Sequence, residues 1–221
     1  MMTQSNLELA RYNMIMQQIR PAEVLDSRVL DAMEQIPRDA FVPADYKGLA
    51  YSDTNIPLDH GQCMLKPIME GRILQALNVQ PGEKVLEIGT GSGYFTALLC
   101  KLGGQVTSIE LHQTLLDQAK TNLDNQGVTA AKLIQGDGSN GWADNAPYDV
   151  IVVTGSMPLY NEALQQQLSV GGRLCVIVGE APNMSVQLVT RISETQWSTE
   201  PLYETVVPAL ENCQQPDKFV F

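Results

Sequence analysis

The stretch Val85-Leu86-Glu87-Ile88-Gly89-Thr90-Gly91-Ser92-Gly93-Tyr94 sets glycines at alternate positions between an apolar run and a helix-forming one. Glycine admits left-handed backbone and leaves no Cβ in the way of a ligand. A helix beginning directly after such a turn presents free N–H groups and a partial positive charge. That arrangement can hold a pyrophosphate or the carboxylate of an amino acid, and the spacing separates the two. A dinucleotide fingerprint reads G-x-G-x-x-G, whereas this turn reads G-x-G-x-G. Glu87, at the fourth position of the expected strand, would meet an ammonium group well and a pyrophosphate badly. Ile88, Gly89, Thr90, Gly91, Ser92 and Gly93 are then the expected walls around an amino-acid end.

Two further acids stand where a nucleoside would need them. Glu110 ends the next expected strand, where a carboxylate can accept from both ribose hydroxyls. Asp137, in Gly136-Asp137-Gly138, follows the third strand and can accept from an adenine amino group. Leu111 and Gly138 flank these acids as further contact positions. Each acid alone reads as a solvated loop carboxylate, but three at consecutive strand ends mark the ligand edge of a parallel sheet. An amino acid joined to an adenine nucleoside satisfies all three. S-adenosylmethionine, which leaves as S-adenosylhomocysteine after methyl transfer, is the expected cofactor.

The elements that must position these residues follow from the apolar pattern. From Lys84 onward short apolar runs alternate with amphipathic stretches: strands over 85–88, 105–110, 131–135, 150–154 and 173–178, helices over 94–101, 113–125 and 160–168. Strand–helix alternation at this spacing implies parallel strands. The tail, residues 185–221, is rich in Val, Thr and Gln and suggests antiparallel strands closing the sheet edge. Before Lys84, helices are expected over 6–18, from a cap at Asp26 or Ser27 to Ile36-Pro37, and over 69–77, around an irregular segment over 38–67. The expected fold is α/β: a Rossmann-like class I methyltransferase, its sheet mostly parallel, with helices on both faces and an N-terminal helical cap. Residues 1–80 form the cap and substrate-loop segment and residues 81–221 the cofactor-binding core, together one compact unit.

A formal net charge of −11 argues against a nucleic-acid partner, because phosphate backbones are held by clustered Lys and Arg. No apolar run is long enough to span a bilayer, and the N-terminal residues lack a signal-peptide pattern, so a cytoplasmic protein is expected. Cys63, Cys100, Cys175 and Cys213 are too scattered for a zinc or redox pair, and no metal site is expected.

Several blocks resemble the protein-L-isoaspartate O-methyltransferase family: residues 14–24 (MIMQQIRPAEV), 29–43 (VLDAMEQIPRDAFVP), 56–67, 85–96, 136–138 and 148–154 (YDVIVVT). The glycine turn is shared by methyltransferases at large, and the Ile-Pro-Arg-Asp-Ala-Phe-Val-Pro block is far more specific. The resemblance implies protein or peptide substrates bearing L-isoaspartyl residues, methylated on the carboxylate. It also implies acceptor contacts from His60, Gln62, Cys63, Met64, Leu65 and Thr154. The chain departs from the family in Gly61-Gln62-Cys63-Met64-Leu65-Lys66-Pro67, where Leu65 stands in place of a Ser and Cys63 in place of a Thr. No catalytic residue is assigned, and none is required as a base, since a carboxylate is already ionised at neutral pH. If the loop limits isoaspartyl activity, Leu65→Ser should raise it. Competing readings are a methyltransferase for another, apolar acceptor and a cofactor-binding module without turnover. A nucleotide-dependent oxidoreductase is disfavoured by the glycine spacing. His112 and Lys66 read as solvated, and Trp142 as a packing residue.

Overall fold

The computed structural model describes residues 4–217. Helix α1 (Gln4–Met14) runs on through a π-helical turn, Ile15–Ile19, to the Arg20-Pro21 stop. Asp26 caps α2 (Ser27–Gln35), its carboxylate accepting from the Arg28 N–H at 2.9 Å. The irregular segment over 38–67 holds 3₁₀ turns and a small hairpin of β1 (Ile56–Pro57) and β2 (Cys63–Met64). Helix α3 (Pro67–Leu77) opens on a proline, which has no N–H to leave unpaired, and stops at Asn78 in left-handed backbone.

The remaining elements alternate as the apolar pattern predicts: β3 (Lys84–Ile88), α4 (Tyr94–Lys101), β4 (Gln105–Glu110), α5 (Gln113–Asn125), β5 (Lys132–Gln135), β6 (Tyr148–Met157), α6 (Glu162–Gln166), β7 (Leu168–Glu180), β8 (Asn183–Ser193) and β9 (Gln196–Thr205). They build one seven-stranded sheet in the order β5-β4-β3-β6-β7-β8-β9. The pairings from β5 to β7 are parallel, and β8 and β9 add antiparallel strands at one edge. The chain steps outward from β3 to β4 and β5, then returns to the other flank of β3 as β6. At such a reversal the loops leaving the two central strands diverge, and a crevice opens at the carboxyl ends.

Both sheet faces are covered, which is why β3 and β6 read as nearly continuous apolar runs. Val85, Val150 and Val152 face a cluster that includes Met14, Met33, Ile73, Leu98 and Leu123 from α1 to α5. Leu86, Ile88, Ile151 and Val153 face the opposite cluster with Leu164 and Leu168. Helices therefore lie on both faces, but unequally, with α6 on the second.

Among the boundaries that differ from the sequence reading, two bear on the β6–β7 pairing. The helix expected over 160–168 covers only Glu162–Gln166, because Gln167 already accepts from the Tyr148 N–H at 2.8 Å and Leu168 pairs with Tyr148. The Gly171-Gly172 turn is absorbed into β7 as a register shift against β6, with Gly171 at φ +86°. In the tail, β8 and β9 are antiparallel as expected. Past Thr205 the chain is irregular apart from a bridge between Ser156 and Ala209, and residues 218–221 of that expectation lie outside the described residues.

Candidate active site

The glycine turn is clamped from both sides. Thr154, three residues before the end of β6, donates to the Gly89 carbonyl at 2.6 Å and lies 3.0 Å from that of Ile88. Gly89 has φ +96°, and a Cβ there would stand 2.5 Å from Thr154 Oγ1. Gly93 packs on Ala119 and Leu123 of α5 just as closely as a glycine permits. The backbone is thus set by what surrounds it.

Glu110, at the tip of β4, is almost wholly buried and accepts from the Gly91 N–H at 2.9 Å and the His112 N–H at 3.1 Å, one on each oxygen. Each oxygen keeps a lone pair for a further donor. Asp137 accepts from the Ser139 N–H at 2.9 Å and from Asn212 Nδ2 at 3.0 Å. Burial pulls its pKa upward, but these hydrogen bonds outweigh it and hold the carboxyl below the usual range.

Glu87 is placed elsewhere. Strand alternation turns it to the α4 face, beneath the glycine turn, where it is fully buried. It accepts from Thr96 Oγ1 at 2.5 Å and Ser108 Oγ at 2.6 Å, while its other oxygen finds no partner among the described residues. Ser108 is in turn 2.6 Å from Thr90 Oγ1, so Glu87 reaches the turn through a hydroxyl relay. Burial pushes its pKa up to about 8 against the pull of those two hydroxyls. Between the ordinary carboxylate value and that raised value the folded chain holds a proton that the unfolded chain releases, so this group's contribution falls as pH rises through the window. Glu87→Gln, a mimic of the protonated acid, should flatten the decline: from about pH 5 to about pH 8 the wild-type Tm is expected to drop a few degrees more than the variant's. Parallel curves in a thermal melt series would show that Glu87 does not carry the effect.

The acceptor-side residues separate into two groups. Gln62 and Cys63 line the crevice, together with Leu58. Met64 and Leu65 are buried, each 4% exposed, and pack into the apolar cluster. They border only a small adjoining cavity behind the loop, with Glu70, Thr90 and Ser92. Burial, with Glu70 nearby, pushes the Cys63 thiol up to about 11, which keeps it protonated and unreactive. His60 sits in left-handed backbone at φ 58° and stacks on His112, ring centroids 3.8 Å apart and planes nearly parallel.

The crevice therefore gathers Ile88, Gly89, Gly91, Glu110, Leu111, Asp137, Gly138, Gln62, Cys63 and Thr154. Thr90 and Ser92 face the adjoining cavity, and Glu87, Gly93 and His60 stand behind or beside it. The sequence reading missed Leu210 and Glu211, which close the crevice from the C-terminal segment. His112 lies beside the expected ribose position, and its side chain, read from sequence as solvated, bonds Glu211 at 2.7 Å. Three carboxylates, Glu110, Asp137 and Glu211, line the crevice, and among the described residues no Lys or Arg does. A pyrophosphate would be repelled there, whereas a cationic ligand with hydroxyl and amino donors is met at every polar point.

Comparison with known proteins agrees with this geometry. The family described as protein-L-isoaspartate(D-aspartate) O-methyltransferase matches residues 10–213. Protein-L-isoaspartate O-methyltransferase 1 of Rhodopseudomonas palustris (strain HaA2) is 43% identical over 185 residues, 84% of this chain and 75% of that protein. The Brucella anthropi protein-L-isoaspartate O-methyltransferase is 36% identical over 214 residues, 96% of this chain and 98% of its own. A solved protein-L-isoaspartate O-methyltransferase superposes with a TM-score of 0.78 at 25% identity, over 91% of this chain and 66% of that longer one. A Plasmodium falciparum structure assigned to the same class, holding S-adenosyl-L-homocysteine, shares the fold with a TM-score of 0.75 at 19% identity, over 89% of this chain and 96% of its own.

Proposed function

The chain belongs to the protein-L-isoaspartate(D-aspartate) O-methyltransferase family, and on that premise we propose that it methylates the carboxylate of L-isoaspartyl residues in damaged proteins. It is an S-adenosylmethionine-dependent methyltransferase. The observation that carries the reading is the crevice at the β3–β6 reversal, lined by carboxylates and glycine backbone and, among the described residues, by no Lys or Arg. Glu110, with a lone pair left on each oxygen, suits two ribose hydroxyls. Asp137, flanked by Gly138, suits the adenine amino group, with Ile88 and Leu111 as apolar walls. Gly89, Thr90, Gly91, Ser92 and Gly93 suit the amino-acid end, because Gly89, with no Cβ, lets the turn close against Thr154 without shifting into the crevice. Glu87 acts on that end through Ser108 and Thr90 rather than by touching it.

S-adenosylmethionine supplies a methyl group on a positively charged sulfur. This chain's residues hold, align and enclose the reactants. The acceptor is already an anion, so no side chain has to remove a proton. Gln62 and Cys63 on one wall and Thr154 on the other bound the space in which a carboxylate can approach in line, with His60 at the mouth and Met64 and Leu65 supporting the loop from behind. Apolar Leu58 and Leu210 exclude water, which strengthens the attraction between carboxylate and sulfonium. Residues 1–80 act as the cap that carries the acceptor loop, and residues 81–221 as the cofactor core. Among the described residues no helix is long and apolar enough to cross a membrane. A cytoplasmic site of action is supported by four unpaired cysteines, and protein rather than nucleic-acid partners by the charge of −11.

Leu65 packs into the apolar cluster and borders the small adjoining cavity rather than the crevice itself. This placement argues against an apolar acceptor, and it changes what Leu65→Ser should do. Exchanging a buried Leu for a hydroxyl loses packing and leaves a cavity, at a cost of about 2–4 kcal/mol. A lower Tm with no gain in isoaspartyl turnover is the expected outcome. A clear gain in turnover would put the Leu65 position in the acceptor pocket. The reaction class is tested by treating labelled product protein with mild alkali. A carboxyl methyl ester releases its label as methanol, whereas alkali-stable label would mean methylation at nitrogen or carbon and would overturn the proposal.

A further inference from the structure

We propose that Arg38 and Glu70 are positioning residues that lock the acceptor loop onto the start of α4 by holding the Leu65 carbonyl. This inference rests on the acceptor role given above to the loop at residues 62–65. Arg38 is fully buried, and its guanidinium does two things at once. One nitrogen donates to the Glu70 carboxylate of α3, and the other donates to the Leu65 carbonyl at 2.7 Å. The guanidinium also lies 5.0 Å from the centre of the Tyr94 ring, which Phe41 meets edge-on at 5.5 Å. Tyr94 is the first residue of α4, directly after the glycine turn. One side chain therefore joins the loop that bounds the acceptor space to the helix that follows the cofactor turn. Glu70 borders the small cavity between those two segments, opposite Thr90 and Ser92.

Stability alone does not account for the pair. A buried ion pair gains little over apolar residues of equal volume, because desolvation offsets the attraction. What apolar residues could not do is hold a carbonyl at a fixed point. The planar fork of an arginine holds a carboxylate and a carbonyl in fixed directions from two separate nitrogens, whereas lysine would have to bring both to one compact ammonium on a flexible stem. Glu70 itself occupies the buried stripe of α3 formed with Ile73, Leu74 and Leu77, the place where an apolar residue would otherwise stand.

Arg38→Lys tests this, because it keeps the charge for Glu70 and gives up the fork. Amide hydrogen exchange over residues 62–66 should quicken at least tenfold, while exchange over residues 89–93 and affinity for S-adenosylhomocysteine stay within about twofold of wild type. With isoaspartyl peptide as substrate, KM should rise about tenfold. Unchanged exchange over residues 62–66 overturns the proposal, as does an equal loosening of residues 89–93 with loss of cofactor affinity. The exchange readout needs no acceptor, so a wild-type chain inert toward isoaspartyl peptide would sink the acceptor reading and leave the positioning role judged by the exchange alone. The double variant Arg38→Met/Glu70→Leu separates positioning from stability. A recovered Tm with fast exchange at residues 62–66 supports positioning, and a recovered Tm with wild-type exchange refutes it.

Discussion

Gly89→Ala should bind S-adenosylhomocysteine on the order of a hundredfold more weakly than the wild type while keeping its far-ultraviolet circular dichroism. At φ +96° an alanine pays a backbone strain of about 1–3 kcal/mol. Its Cβ would also stand 2.5 Å from Thr154 Oγ1, so Thr154 would have to leave its bonds to the Gly89 and Ile88 carbonyls. Each such bond contributes about 0.5–1.5 kcal/mol. The relief available to the turn is to shift toward the crevice, which is the space a ligand needs. A loss of about 3 kcal/mol in binding corresponds to roughly a hundredfold. Isothermal titration decides it, and an affinity within threefold of wild type would mean that the turn does not form the cradle.

Glu110→Ala should cost even more, with affinity falling several hundredfold. Its carboxylate would lose two charge-assisted hydrogen bonds to ribose hydroxyls, each of about 1.5–3 kcal/mol. It would also release the Gly91 and His112 N–H groups that it now holds at 2.9 and 3.1 Å, loosening the turn and the first residues of α5 together. Glu110→Gln keeps one acceptor oxygen and should fall between the two. Equal affinities for all three chains, measured by the same titration, would remove Glu110 from the ribose role. The effect exceeds what a strand-end acid read from sequence alone would suggest, because the structure gives Glu110 two backbone duties beside the ligand.

What the sequence made legible was local. The two-sided apolar runs of β3 and β6 identify buried strands, and the turn follows from its glycine spacing. Glu110 and Asp137 could be placed because the first ends β4 and the second lies two residues past β5, so the position of each along the sheet edge is fixed by chain connectivity. Glu87 could not be aimed in the same way. A strand alternates faces, but both faces of β3 are apolar, so nothing in the pattern says which face Glu87 shares with Val85. Contacts between residues distant in the chain were equally hidden. The His60–His112 stack, the Asp137–Asn212 bond and the Arg38–Glu70 pair join segments 52, 75 and 32 residues apart. One of these left a trace: an acid inside the apolar stripe of α3 requires a buried partner, although not which one. The depth of Leu65 was illegible for a related reason: β2 stops at Met64, so strand alternation says nothing of Leu65 beyond it, and both side chains turn inward.

Delivery of a methyl group from this crevice to an isoaspartyl carboxylate can be observed as transfer itself. The direct measurement incubates the purified chain with methyl-labelled S-adenosylmethionine and a peptide containing L-isoaspartate, beside the same peptide containing ordinary aspartate. Alkali-labile label on the isoaspartyl peptide alone is the predicted result. Equal label on both peptides, or none on either while S-adenosylhomocysteine binds, would contradict it.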